Sequence, residues 1–361
     1  MDKIKLLKIL EKELVVALGC TEPVSFAYAA ALARRYAPSG EIATITVKGS
    51  VNMIKNAAGV IIPGTDLNGV DLAAVLGALI GDPDKKLEVL EGVTAAAIAE
   101  AQALISSGRV KILVADTPKK LLVEVSLVNT EGEEVDVTIA DEHTRVVKIV
   151  KNGKVIFSIQ KERTGEEENL SAPDFSLEDI WEFIKTADPV QDLQLVQRSI
   201  ELNTHIGRQG LEGNYGLKIG KTIKEGIAKS FYTDDLVYWA AALTSAASDA
   251  RMAGCPTPVM SNTGSGNQGI TATVPVVAVG EKLGADREQI LRAVALSHLV
   301  TIYIKYCFGR LSALCGATVA STGASCGIVY LLGGSLEQVK GAIQNMLGNV
   351  TGMLCDGAKI G

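Results

Sequence analysis

The chain has 361 residues, 47% apolar and 21% charged, a balance that excludes a disordered or collagen-like protein and allows about two domains. The net charge is −6, and no run of Lys and Arg alternates with aromatics, so nucleic acid and anionic membrane surfaces are not expected partners. The amphipathic N-terminus MDKIKLLKILEKEL has no apolar secretory core, so the six cysteines are expected to stay reduced in a cytoplasm.

Leu7, Leu10, Leu14 and Leu18 recur at helical spacing and predict a first helix from Asp2 that stops at Gly19. A second, Ala-rich helix is expected from Pro23 to Tyr36, which leaves Cys20 and Thr21 in the junction. Ile42 to Val47 alternates as a strand, and 71–80 and 87–105 read as helices. Five short β-rich runs follow (VKILVAD, LLVEVSLVN, EVDVTIAD, TRVVKIVKN and KVIFSIQ), separated by turns such as Asn152-Gly153, which is the pattern of an antiparallel sheet. After a polar stretch, helices are expected to begin near Leu177, Pro189, Lys221, Thr233, Asp286 and Ser335. The uncharged run from Leu311 to Leu336 is long enough to span a bilayer, but its Ser, Thr and Gly content reads as a buried helical segment. The expected fold is α+β. Two N-terminal helices (1–40) pack on a mostly helical catalytic domain (176–361), with an α+β domain containing an antiparallel sheet inserted at 41–160 and a linker at 161–175. No internal repeat is present, and a homo-oligomer is compatible with the composition.

Gly264-Ser265-Gly266-Asn267-Gln268-Gly269 matches a dinucleotide-binding pattern letter for letter, but no β-α-β alternation surrounds it, so NAD is not expected. The longer run from Ser261 to Gln268 gathers hydroxyls, amides and bare backbone N–H groups. It reads either as a cradle for a carboxylate or phosphate at a helix start, or as a tight structural turn. Cys20 sits where a helix N-terminus favours the thiolate, which fits a base, nucleophile or iron ligand as well as a small capping residue. Arg251 can hold a substrate carboxylate or form a structural ion pair. Cys315, Cys326 and Cys355 are dispersed, with no C-x-x-C, so they are either inert core thiols or ligands that meet only in space. Of the three histidines, His205 lies in a polar break and is the most site-like, His143 is expected on the surface, and His298 reads as a core residue. No lysine stands in a context for pyridoxal phosphate.

Five motifs now appear in order: Gly19-Cys20-Thr21-Glu22-Pro23, Ser248-Asp249-Ala250-Arg251-Met252, the run Ser261 to Gly269, Cys315-Gly316-Ala317, and Cys355-Asp356-Gly357-Ala358-Lys359. With them the whole chain resembles the L-cysteine desulfidase family, which is related to the α chain of the iron–sulfur-dependent L-serine dehydratases. The resemblance implies a [4Fe–4S] cluster with one open iron and β-elimination of L-cysteine to pyruvate, ammonia and sulfide. It implies metal ligation by Cys315 and Cys355, and a ligand or acid–base role for Cys20. The family pattern continues two residues past Lys359 to another cysteine, a position beyond Gly361; among the thiols in this sequence Cys20 is the expected third ligand. The substrate, a small amino acid, is expected to lie on Ser261, Asn262, Thr263, Gly264, Ser265, Asn267 and Gln268, with Arg251 and Lys359 assisting. Cys20 and then His205 are the expected catalytic bases. The alternatives are an L-serine dehydratase on the same scaffold and a non-catalytic small-molecule binding protein.

Overall fold

A computed structural model describes residues 3–159, 173–307 and 315–351. The first half runs α1 (Lys3–Glu13), β1 (Val16–Ala17), α2 (Thr21–Tyr36), β2 (Ile42–Gly49), α3 (Val51–Ala58) and α4 (Val70–Ile80), then a short 3-10 turn (Pro83–Glu88), α5 (Ala95–Ser106), β3 (Val110–Val114), β4 (Leu122–Asn129), β5 (Glu134–Ala140), β6 (Val146–Lys151) and β7 (Lys154–Ser158). The second half runs α6 (Leu177–Thr186), α7 (Gln194–Glu212), α8 (Ile219–Ala228), α9 (Leu236–Met252), β8 (Val259–Met260), α10 (Gly266–Leu283), α11 (Arg287–Tyr306), α12 (Gly316–Leu331) and α13 (Leu336–Val350).

The fold is α+β, as the sequence leads one to expect. Its six-stranded sheet has the order β3-β2-β4-β5-β6-β7. Four of the neighbouring pairs are antiparallel, but β2 and β3 run parallel. A parallel pair needs a long crossover, and α3, α4 and α5 supply it between those strands. Alternation along β4 turns Val123, Val125 and Leu127 inward, onto α2. Helices α2 and α4 touch closely because their contact is made of small residues: a Cβ on Gly77 would overlap the Ala27 backbone, and one on Gly81 would lie 2.9 Å from the Ala31 methyl.

Packing separates the two N-terminal helices that the sequence places together. Leu6, Leu10 and Leu14 join the helical core with Phe183 and Leu299, whereas Phe26 and the alanines of α2 belong to the core under the sheet. The first helix is also shorter than its leucine spacing suggests. After Glu13 the chain extends, and Val16–Ala17 pairs antiparallel with Val259–Met260. That small ladder ties the start of α2 to the loop before α10.

In the helical half α10 is continuous through Pro275, and a row of buried valines keeps it in the core. Cβ positions on Gly316, Gly327 and Gly280 meet Gln268, Val276 and Leu331 in turn, so α10 and α12 run parallel with their N-termini together. Helix α11 lies antiparallel to α12, where Gly323 and Gly327 face Ser297 and Ala293. Among the described residues no helix is long and apolar enough to cross a membrane.

Candidate active site

Three helix starts meet around the loop 261–268. Gly19 turns the chain into α2 with φ +71°, and any side chain there would overlap the Pro63 ring. Cys20 follows as the N-cap, its side chain 6% exposed. The Thr21 hydroxyl lies 2.8 Å from the Gly264 carbonyl oxygen, which joins α2 to the loop.

A helix N-terminus favours thiolate, but the surroundings of Cys20 reverse that expectation. Its Sγ donates to Glu22 Oε2 at 3.0 Å. Burial first, and then the Glu22 charge, push the thiol up to about 12, with Arg251 opposing them. Cys20 is therefore a protonated donor in this arrangement. Glu22 is the charged member of the pair. Burial works against its carboxylate, but the nearby His143 charge, the Cys20 and Asn56 hydrogen bonds and its own backbone N–H outweigh burial and hold it below the usual range. Asn56 Nδ2 donates to Glu22 Oε1 at 3.2 Å. His143, expected on the surface, is 5% exposed in the β5–β6 turn.

Arg251 stands in the last turn of α9 and is 3% exposed. Its Nη2 donates to the Gly19 carbonyl at 2.8 Å and its Nη1 to Asn267 Oδ1 at 2.9 Å. Its guanidinium lies against Gly266, the first residue of α10, where a Cβ would overlap it. No carboxylate among the described residues forms an ion pair with it, and its Nε is buried without a hydrogen-bond partner. The structural ion pair is thus not seen. A buried cation at the positive end of a helix is a strong place for an anion.

The loop is a tight turn. Asn262 and Ser265 exchange backbone hydrogen bonds across Thr263 (φ +46°) and Gly264 (φ +83°). Ser261 Oγ donates to the Val15 carbonyl at 2.6 Å, and Ser265 Oγ caps α10. Behind the loop His298 is wholly buried between Asn262 on one side and Ser199 and Thr273 on the other. Burial drives its pKa down to about 3, so the ring is neutral.

Cys315 is the half-buried N-cap of α12, and a Cβ on the adjoining Gly316 would lie 2.9 Å from Gln268 Oε1. Cys20 and Cys315 therefore stand along the same loop. Cys326 is a core thiol, pushed up to about 12 by burial. Cys355 and Lys359 lie outside the described residues. His205 is not with the others; it sits inside α7, exposed, two residues from the buried Asn203 and so on the opposite face of the helix. The sequence break around it does not interrupt the helix. Sequence reasoning passed over Glu22, Asn56 and His143, of which only Glu22 lay inside a motif it singled out. Among the described residues no group of three His, Cys, Asp or Glu side chains is gathered to hold a metal.

Residues 84–361 match the family described as serine dehydratase alpha chain. A UPF0597 protein of Oleidesulfovibrio alaskensis is 46% identical over 357 residues, 98% of this chain and 82% of that protein. A UPF0597 protein of Vibrio parahaemolyticus is 44% identical over 355 residues, 98% and 83% of the two chains. One from Bacteroides fragilis is 42% identical over 359 residues, 99% and 83%.

Proposed function

The chain belongs to the serine dehydratase alpha chain family, and from that premise we propose that it is an iron–sulfur-dependent lyase converting L-cysteine to pyruvate, ammonia and sulfide. The observation that carries the reading is the buried Arg251 guanidinium, with no carboxylate partner among the described residues, at the start of α10 beside Cys20.

A [4Fe–4S] cluster bound by three thiolates is an anion. Two features support one: Cys20 and Cys315 cap helix starts on one loop, and the start of α10 and Arg251 add positive potential. Cys355 is the proposed third ligand. When bound, the cluster supplies a Lewis-acidic iron for the sulfur that leaves the substrate. The protein's own groups do the rest. Arg251 and the free N–H groups of α10 hold the substrate carboxylate and stabilise the charge that builds on it as the Cα proton departs. Glu22 Oε2 accepts the hydrogen bond of Cys20 Sγ, so it lies where the thiol proton would go when iron binding or a change in the surroundings draws Cys20 to its thiolate form as ligand or base. Loss of the Cα proton and cleavage of the Cβ–S bond give aminoacrylate and sulfide, and water then converts aminoacrylate to pyruvate and ammonia. His205, on the outer face of α7, has no part in this reading.

Replacing Cys315 with Ala should remove the visible absorbance and bound iron of anaerobically reconstituted protein, and sulfide release with them. Sulfide release that persists without iron would reject the cluster reading. Cys20→Ala separates its two roles: lost turnover with iron retained marks a base, and lost iron marks a ligand. The family's description favours a second substrate, L-serine. Comparing pyruvate formation from L-serine and from L-cysteine decides between them.

A further inference from the structure

The buried polar network behind the loop has a fixed direction. Asn262 Nδ2 lies 3.0 Å from His298 Nδ1 and 3.3 Å from the His298 carbonyl oxygen. A carbonyl only accepts, so Nδ2 is the donor to both and Nδ1 carries no proton. The ring hydrogen is then on Nε2, 2.9 Å from Ser199 Oγ and 3.1 Å from Thr273 Oγ1. Thr273 in turn donates to the Gly269 carbonyl at 2.8 Å. With its nitrogen committed, Asn262 presents Oδ1 to Gln268 Nε2 at 3.3 Å, and Nε2 also donates to the Asn262 carbonyl at 3.1 Å. Turning either amide round would set oxygen against a main-chain oxygen.

The chain of bonds ends in Gln268 Oε1, buried with no hydrogen-bond partner in a side chain that has no exposure. On the same first turn of α10, Gly266 adjoins Arg251, whose Nε is a buried donor without a partner. One orphan acceptor and one orphan cationic donor complement the two ends of a zwitterion. A simple carboxylate satisfies only the second.

We infer that Gln268 Oε1 receives the α-ammonium group of the substrate while Arg251 takes its carboxylate, and that His298 is the positioning residue that keeps the Gln268 amide turned acceptor-outward. This rests on the proposed reading of the site as an amino-acid site, and it commits that site to α-amino acids over their desamino analogues.

Calorimetric titration of the full chain with L-alanine and with propionate tests it, since neither probe carries a leaving group. The protein should bind L-alanine at least tenfold more tightly than propionate. Gln268→Met should cost about tenfold for L-alanine and nothing for propionate, while Arg251→Met weakens both. His298→Phe should erode the preference as Gln268→Met does. His298→Gln, which can accept from Asn262 and donate to Ser199, should restore it; loss of packing alone would not be rescued in that way. An L-alanine to propionate ratio unchanged in Gln268→Met, or equal binding of the two probes by the unaltered protein, overturns the inference and leaves the amino-acid site standing. Binding of neither probe overturns both.

Discussion

His298 ties stability to pH with a definite sign. Its folded pKa of about 3 lies below the ordinary 6.5 because burial excludes the charged ring. Between those values the unfolded chain holds a proton that the folded chain does not. The stabilisation is therefore complete above pH 6.5 and is lost as pH falls toward 3, at a limiting slope of about 1.4 kcal/mol per pH unit. From pH 7 to 5 this one group should remove about 2 kcal/mol. Urea unfolding at the two pH values should show that loss in the unaltered protein and a correspondingly smaller one in His298→Gln, which has nothing to titrate; equal losses would place the proton elsewhere. Cys20 teaches the companion lesson. Its place at a helix start was legible from Gly19 and Pro23, but its charge state was not, because burial and the Glu22 carboxylate decide that and both depend on the folded surroundings.

At the scale of elements, close helix contacts set where the site's ends meet. The α11–α12 pair touches at Gly323, where a Cβ would overlap the Ser297 carbonyl and the Thr301 hydroxyl, and this contact sets where Cys315 reaches the loop. Gly→Ala inside a helix ordinarily stabilises by up to about 1 kcal/mol. At Gly341 of α13 nothing lies within 4 Å of the added methyl, so that gain should be realised. At Gly323 the overlap reverses the sign, and Gly323→Ala should destabilise by roughly 1–3 kcal/mol. Thermal melting of the two variants reads the contrast directly, and a melting point raised by both would mean that α12 shifts freely. The same physics explains what the sequence left unread. Within the run 311–336 the helix α12 (Gly316–Leu331) was recognisable from its small apolar residues, while residues 311–314 lie outside the described residues. The neighbouring α10 was not, because Pro275 and its many valines point away from a helix and only burial on several sides holds them in one. The parallel β2–β3 pair was hidden for a related reason, since strand patterns fix which face is buried but not which neighbour a strand finds.

At the scale of the molecule, the site is shared between the two halves. The helical half brings Arg251, the loop and Cys315, while the sheet half brings α2 with Cys20 and Glu22, Asn56 from α3 and His143 from the β5–β6 turn. The halves are stitched beside this point by the β1–β8 ladder, the Gly64 N–H to Gly254 carbonyl bond of 3.0 Å and Thr21 on Gly264. If the sheet half were only a support, the charge on His143 would be irrelevant to chemistry. His143 instead acts on Glu22 electrostatically, helping to lower its pKa against burial, and Glu22 is the group that receives the Cys20 hydrogen bond. His143→Gln keeps a polar side chain at that position and removes the charge. Glu22 should then be protonated at a higher pH, and a protonated Glu22 cannot take the Cys20 proton, so the acid limb of the kcat/KM profile for L-cysteine should move to higher pH. Bound iron should stay unchanged if His143 acts only through Glu22. An unmoved acid limb would reduce the sheet half to scaffolding, whereas a joint loss of iron and turnover would show that the Glu22 charge is needed to hold the metal site together.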